Sequence, residues 1–180
     1  MNLIVYACPA GALAAQLERY FAASLARFGP NSAHAYMPHV TLTGFFDDAP
    51  QSVPVYAAAL EAALEAAHPG IPEPPLTITD MLLRDTFHGL TIESPWLRAL
   101  VADFAARADS PTRASPLRLK DWLHLSLAYG FAPEQGDGLA ALARELVDAA
   151  AQVTWELRLY ERLPDGGWVC HRSWPLVCGL

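Results

Sequence analysis

Pro38-His39-Val40-Thr41-Leu42-Thr43-Gly44 and Leu123-His124-Leu125-Ser126-Leu127-Ala128-Tyr129 decide how this chain is read. Each stretch sets a histidine two residues before a hydroxyl inside an apolar, β-prone run, and such a run alternates faces with period two. The histidine and the hydroxyl therefore share a face, roughly 6.5 to 7 Å apart along the strand. Val40, Leu42, Leu125 and Leu127 point the other way, into a core. The two histidines lie 85 residues apart (124 − 39) in a chain of 180. Two such strands brought together offer two imidazoles and two hydroxyls to one anion, a set suited to phosphoester chemistry without a metal. Two such matches arise by accident on the order of one time in a hundred. A third formal match, His171-Arg172-Ser173, is set aside because Arg172 occupies the position that should face the core.

Working outward, the composition is that of an ordinary globular protein, 53% hydrophobic and 17% charged, long enough for one substantial core or two small lobes sharing one. Twelve basic against nineteen acidic residues give a formal charge of −7, the wrong sign for gripping a long nucleic-acid duplex, though not for a nucleotide-sized ligand neutralised locally. Cys8, Cys170 and Cys178 lack C-x-x-C spacing and are expected to be buried free thiols of a reducing compartment. The apolar stretch from Leu3 to Ala15 is preceded by no Lys or Arg, so it lacks the positive flank of a signal peptide. No run approaches the roughly 20 apolar residues of a membrane span. The expected location is the cytoplasm, with no membrane partner; the oligomeric state is left open.

The rest of the chain punctuates into elements. A strand from Asn2 to Ala7 turns at Pro9-Ala10-Gly11 into a helix from Leu13 to Phe28, which stops at Gly29-Pro30. The first motif strand is expected from His39 to Phe46, and a helix from Val53 to Ala67 follows it. The Pro-rich stretch His68 to Pro75 reads as a linker between halves. Leu76 to Leu83 and Phe87 to Ile92 form a hairpin, and Ser94-Pro95 starts a helix that runs to about Ala108. A loop from Asp109 to Asp121 precedes the second motif strand, and a helix from Leu139 to Ala151 follows it. Thr154 to Leu163 and Trp168 to Val177 close the chain as a hairpin about Pro164-Asp165-Gly166-Gly167. Helix, motif strand and helix recur once in each half. The fold class is α+β, with a mainly antiparallel sheet in two similar lobes and flanking helices.

The twin His-x-Thr/Ser strands at this separation resemble the two-histidine (2H) phosphoesterase superfamily. Pro38 before the first motif, Gly44 after it and the sequence His124 to Tyr129 are most similar to its plant-type and bacterial cyclic phosphodiesterases. As a pattern of elements the resemblance spans residues 1 to 180 as one bilobal domain, with the motifs at about 38–46 and 122–130. It implies a central cleft lined by the motif strands, with His39 and His124 catalytic. It further implies that Thr41 and Ser126 bind phosphate oxygens and that Tyr129 contacts a nucleoside. Strand parity supports the first four assignments but sets Tyr129 on the opposite face unless the strand bends, as Gly130 permits.

Opening a cyclic phosphate needs a base for water, an acid for the departing oxygen and donors for the non-bridging oxygens. A pair of imidazoles near neutral pH can divide the first two tasks, with no cofactor and no metal ligand set required. The substrate class so indicated is a nucleoside 2′,3′-cyclic phosphate or a related small cyclic nucleotide such as ADP-ribose 1″,2″-cyclic phosphate. RNA termini or 2′-5′ linkages, and a non-catalytic nucleotide- or RNA-binding module, are the alternatives. Arg113, Arg118 and Lys120, close before the second motif, are candidates to supply positive potential around the substrate, against the alternative of a solvated loop. Phe87 and Trp122 could stack on a base, but aromatic residues at strand starts are expected in the core, and His34, His68 and His88 are expected as structural or surface histidines.

Overall fold

The structure, a computed structural model, describes residues 1–68, 72 and 74–176. β1 (Asn2–Ala10) is buried along nearly its whole length because both of its faces are covered. Leu3, Val5 and Ala7 point into the main core, whereas Ile4, Tyr6 and Cys8 pack with Tyr160 in a smaller cluster on the other face. That double burial explains an apolar run without alternation. Pro9 and Ala10, expected in a turn, instead extend the strand opposite Trp155 and Thr154. The reversal falls at Gly11, whose φ of 78° favours glycine.

α1 (Ala12–Phe28) turns Leu13, Leu17 and Tyr20 inward. The single strand expected from His39 to Phe46 is two short pieces, β2 (Val40–Thr41) and β3 (Phe46–Asp47), both antiparallel to β1. Between them the backbone divides its hydrogen bonds between two neighbours. The Leu42 N–H donates to the Val5 carbonyl (3.1 Å), but the Leu42 carbonyl accepts from the Lys120 N–H (3.1 Å) and the Gly44 N–H donates to the Arg118 carbonyl (2.7 Å). Every backbone group of a buried segment needs a partner, and here the partners come from residues 118–120.

α2 (Val53–Ala67) precedes the hairpin of β4 (Thr77–Arg84) and β5 (Phe87–Glu93). α3 (Pro95–Arg107) is capped as its sequence demands, the Ser94 hydroxyl accepting from the Leu97 N–H at 3.0 Å. β6 (His124–Tyr129) carries the second motif. α4 (Gly136–Leu146) begins and ends earlier than its apolar spacing predicts, because Val147 turns extended and the Asp148 N–H is taken by the Gln16 side chain (2.9 Å). β7 (Thr154–Arg162) and β8 (Trp168–Leu176) form the last hairpin. Residues 69–71 and 73 of the Pro-rich stretch, and Val177 and Cys178, lie outside the described residues.

Among the described residues eight strands make one antiparallel sheet in the order β4-β5-β6-β2-β1-β7-β8, with β3 beside β1. The fold is thus α+β; the second half of the chain joins the first at two places, where β6 meets β2 and where β7 pairs with β1. α1 lies against α4 and α2 against α3. Inward residues of all four helices share one core with Val40, Leu42, Leu125 and Leu127 of the motif strands. The apolar alternation of both motifs therefore faces the helices, and the histidines are left on the other face of the sheet. Cys8 is buried, but Cys170 is exposed on the edge strand β8, contrary to the expectation of buried thiols. Among the described residues no helix is long and apolar enough to cross a membrane.

Candidate active site

Val40 pairs with Leu125 across the β2–β6 junction. One residue either way along this antiparallel pair, His39 faces Ser126 and Thr41 faces His124. The two motifs are related by a local two-fold, with the two histidines at diagonal positions of the strand pair. All four side chains line one cleft of about 520 Å³. Among the described residues no Asp or Glu lines it, whereas Arg118 and Lys120 do. In a chain of net charge −7 that makes the cleft locally suited to an anion.

His39 is held firmly. Its Nδ1–H donates to the Met37 carbonyl at 2.7 Å, which fixes the tautomer and leaves the Nε2 lone pair toward the cleft. The Thr41 hydroxyl lies 3.1 Å from that Nε2 and donates to it. The ring packs on the face of Tyr6, centroids 3.9 Å apart. Burial pushes its pKa down to about 4, the Met37 carbonyl opposing and the His124 charge reinforcing the shift. Burial likewise raises the Tyr6 phenol, which stays protonated.

His124 is held differently. Its ring stacks on the indole of Trp122 (4.0 Å between centroids) and meets Phe87 edge-on (5.4 Å). Its Nδ1 is buried and closes no hydrogen bond of ordinary geometry, although the Trp122 backbone lies near enough to favour the protonated ring. Burial still lowers its pKa, and the Lys120 charge adds to that.

Tyr129 reaches the cleft despite the parity of its strand. Gly89 pairs with Ser126 but His88 pairs with Ala128, so Leu127 is one residue in excess and the strand carries a β-bulge. A bulge resets the alternation. Leu127 and Ala128 are therefore both buried, and Tyr129, opposite Phe87, returns to the face of His124 and Ser126. The close backbone approach at this bulge requires Gly89, where a Cβ would fall 2.7 Å from the Leu125 carbonyl.

Of the three basic candidates, the structure brings two to the cleft. Arg118 and Lys120 flank Leu119, which bridges to Thr43, and neither makes a side-chain hydrogen bond or ion pair among the described residues. The Arg118 guanidinium lies over Gly44, its Nη2 3.1 Å from where a Cβ would sit. Arg113 is not brought to the cleft: its guanidinium donates to the Ala108 carbonyl (2.7 Å), the Ser115 carbonyl (2.9 Å) and the Tyr56 hydroxyl (3.2 Å).

Phe87 and Trp122, expected in the core, line the cleft instead, with Trp122 47% exposed. Trp122 stands two residues before His124, and that shared parity is the signal that would have found it. Tyr6, Tyr36 and Met37 also reach the site without having been singled out. Tyr6 sits in an uninterrupted apolar strand that gives no face preference, and the other two sit in irregular backbone. His34 is structural, its Nδ1 accepting from the Asn31 N–H at 3.0 Å. His88 is buried with Nδ1 unpartnered.

Among the described residues no three His, Cys, Asp or Glu side chains converge as a metal site. Fold and site together define a cleft on an antiparallel α+β sheet that holds two histidines with two cationic side chains. No family model matches the chain. It is similar to an ecdysteroid-phosphate phosphatase of Drosophila melanogaster, 30% identical over 202 aligned positions that take in 89% of this chain and 26% of the relative. An ecdysteroid-phosphate phosphatase of Bombyx mori is 28% identical over 89% of the chain and 24% of the relative. The human ubiquitin-associated and SH3 domain-containing protein B is 29% identical over 88% of the chain and 24% of its own length. The chain thus spans about a quarter of the length of the curated relatives it matches.

Proposed function

We propose that this protein hydrolyses phosphate esters, and that its substrate is a small cyclic phosphodiester: a nucleoside 2′,3′-cyclic phosphate or a related cyclic nucleotide. The observation that carries this reading is the two-fold pairing of His39-Val40-Thr41 with His124-Leu125-Ser126 in a cleft lined by cations and, among the described residues, no carboxylate. Two relatives named as phosphatases support the broader statement. The resemblance of both motifs to the two-histidine phosphoesterases supports the narrower one.

His39 is the base and His124 the acid. His39 Nε2 takes a proton from water as the water oxygen bonds to phosphorus, and His124 gives its proton to the ribose oxygen as the P–O bond breaks. The product is a phosphate monoester. His39 suits the base role because Met37 holds its proton on Nδ1, so that Nε2 is the acceptor; the Thr41 hydroxyl, which donates to Nε2 without ligand, turns to the phosphate when substrate binds. A bound phosphate favours protonation of the less constrained His124, offsetting the burial that lowers its pKa. The Thr41 and Ser126 hydroxyls donate to non-bridging oxygens, with Arg118 and Lys120 balancing their charge. Tyr129 and Trp122 face the nucleoside. A cleft of about 520 Å³ suits a single nucleotide rather than a long duplex.

The test is product analysis by chromatography and phosphorus NMR with the four nucleoside 2′,3′-cyclic phosphates in excess chelator. A phosphate monoester and the His39→Ala, His124→Ala double variant serve as controls. Conversion to one monophosphate isomer, absent in the double variant, is expected. Activity lost in chelator and restored by Zn²⁺ or Mn²⁺ would contradict the mechanism. Turnover of the monoester alone would leave phosphate-ester hydrolysis standing without the cyclic substrate, and conversion of none would shift the weight to RNA ends, 2′-5′ linkages or binding.

A further inference from the structure

Asp48 is a carboxylate buried to 5% exposure immediately after β3, outside the cleft, and among the described residues no salt bridge neutralises it. Burying a charge is costly unless hydrogen bonds replace its water, and here they do. Oδ1 accepts from the Ala49 N–H (2.7 Å) and the Thr112 hydroxyl (2.5 Å), and Oδ2 from the Tyr56 hydroxyl (2.5 Å). The Tyr56 oxygen in turn accepts from Arg113, whose guanidinium also lies over the Tyr56 ring. Burial pulls the carboxyl pKa up, but Thr112, Tyr56, Ser110 and Ala49 outweigh it and hold the group below the usual carboxylate range.

The partners of this carboxylate define what it joins. Thr112 and Arg113 begin the irregular segment that ends at Arg118 and Lys120, while Asp48 closes the connection that began at Leu42. The same two stretches meet again at their other ends, through Gly44 to Arg118 and Lys120 to Leu42. Residues 110–120 are thus fixed to residues 42–48 at two points, and the cations lie at the point nearer the histidines.

We infer that Asp48, Tyr56, Thr112 and Arg113 form a positioning cluster that delivers Arg118 and Lys120 to the cleft, so that the affinity of the site for phosphate depends on a carboxylate that never touches the ligand. The inference rests on the proposed reading of the cleft as a phosphate site. It also gives Arg113 a task in the site without contact with substrate.

Thr112→Val removes one donor while keeping the side chain's shape, and Thr112→Ser restores it. With inorganic phosphate as the probe, Thr112→Val should weaken binding about tenfold, with Thr112→Ser within twofold of the parent. In an Arg118→Ala, Lys120→Ala background the same change should have no further effect, because the cluster acts through those cations. The Gly44 and Lys120 amides should exchange hydrogen faster in Thr112→Val than in Thr112→Ser. An equal loss in both backgrounds, or unchanged exchange at those two amides, overturns the inference. If the parent chain binds no phosphate at millimolar concentration, the reading of the cleft fails, and amide exchange alone decides whether the cluster positions the segment.

Discussion

His39 and His124 share a motif but not an environment. His39 has its Nδ1 proton committed to Met37, its Nε2 bonded to Thr41 and its ring on the buried Tyr6. His124 has an Nδ1 that the Trp122 backbone approaches without closing a hydrogen bond of ordinary geometry among the described residues, a half-exposed Trp122 as its platform, and in Ser126 a hydroxyl without a side-chain hydrogen bond among them. A local two-fold of the backbone therefore places the two groups alike, while the side chains around them make one a fixed neutral acceptor and leave the other open to protonation by an arriving anion. In the proposed mechanism the symmetry supplies the geometry, and its breaking supplies the division of labour.

The largest effect that probes this difference is on turnover. His39→Ala and His124→Ala should each lower kcat on the order of 10² to 10⁴, and the double variant should lose little more, because a base without its acid is already ineffective. Losses that multiply in the double variant would mean that the histidines act independently.

Next in size is acid stability. The folded His39 pKa is about 4 against roughly 6.5 in an unfolded chain, so as pH falls the unfolded state takes up the proton first. The stabilisation is complete above about pH 6.5 and is lost as pH falls toward 4, with an upper limit of about 3 kcal/mol. Urea unfolding across that window should show a shallower pH slope in His39→Gln, the remaining slope belonging to His124 and His88, whose pKa values burial also lowers. An unchanged slope would place His39 in a wetter setting than its packing on Tyr6 indicates.

The smallest effect concerns the cations. Gly44→Ala puts a methyl 3.1 Å from the Arg118 guanidinium, so that side chain must shift by a few tenths of an ångström. Phosphate affinity should fall about threefold, the fold remaining intact. A loss as large as that of Arg118→Ala would show that Gly44 matters for more than the seat of this arginine.

The sequence was most legible where periodicity was strict. The alternation in both motifs set His39, Thr41, His124 and Ser126 on one face and Val40, Leu42, Leu125 and Leu127 on the other, and the sheet keeps that division. Ser94-Pro95, as cap and first turn, located the start of α3. The reading blurred where hydrogen bonding is long-range. Nothing local says that residues 42–44 leave β1 for residues 118–120, or that Leu127 is a bulge that returns Tyr129 to the cleft. Arg113 and Arg118 look equivalent in sequence, five residues apart in one loop. Only the buried Asp48, 64 residues before Thr112, separates their tasks.

The inequivalence of the two histidines is tested most directly by a pH titration of the imidazole ¹⁵N and ¹³C resonances in the ligand-free chain, assigned through His39→Gln and His124→Gln. His39 should be the Nδ1–H tautomer, unchanged from neutral pH until it titrates near 4, with His124 titrating separately below 6.5 and moving upward when inorganic phosphate is added. Two histidines titrating together, or a His39 proton found on Nε2, would contradict the assignment of base and acid.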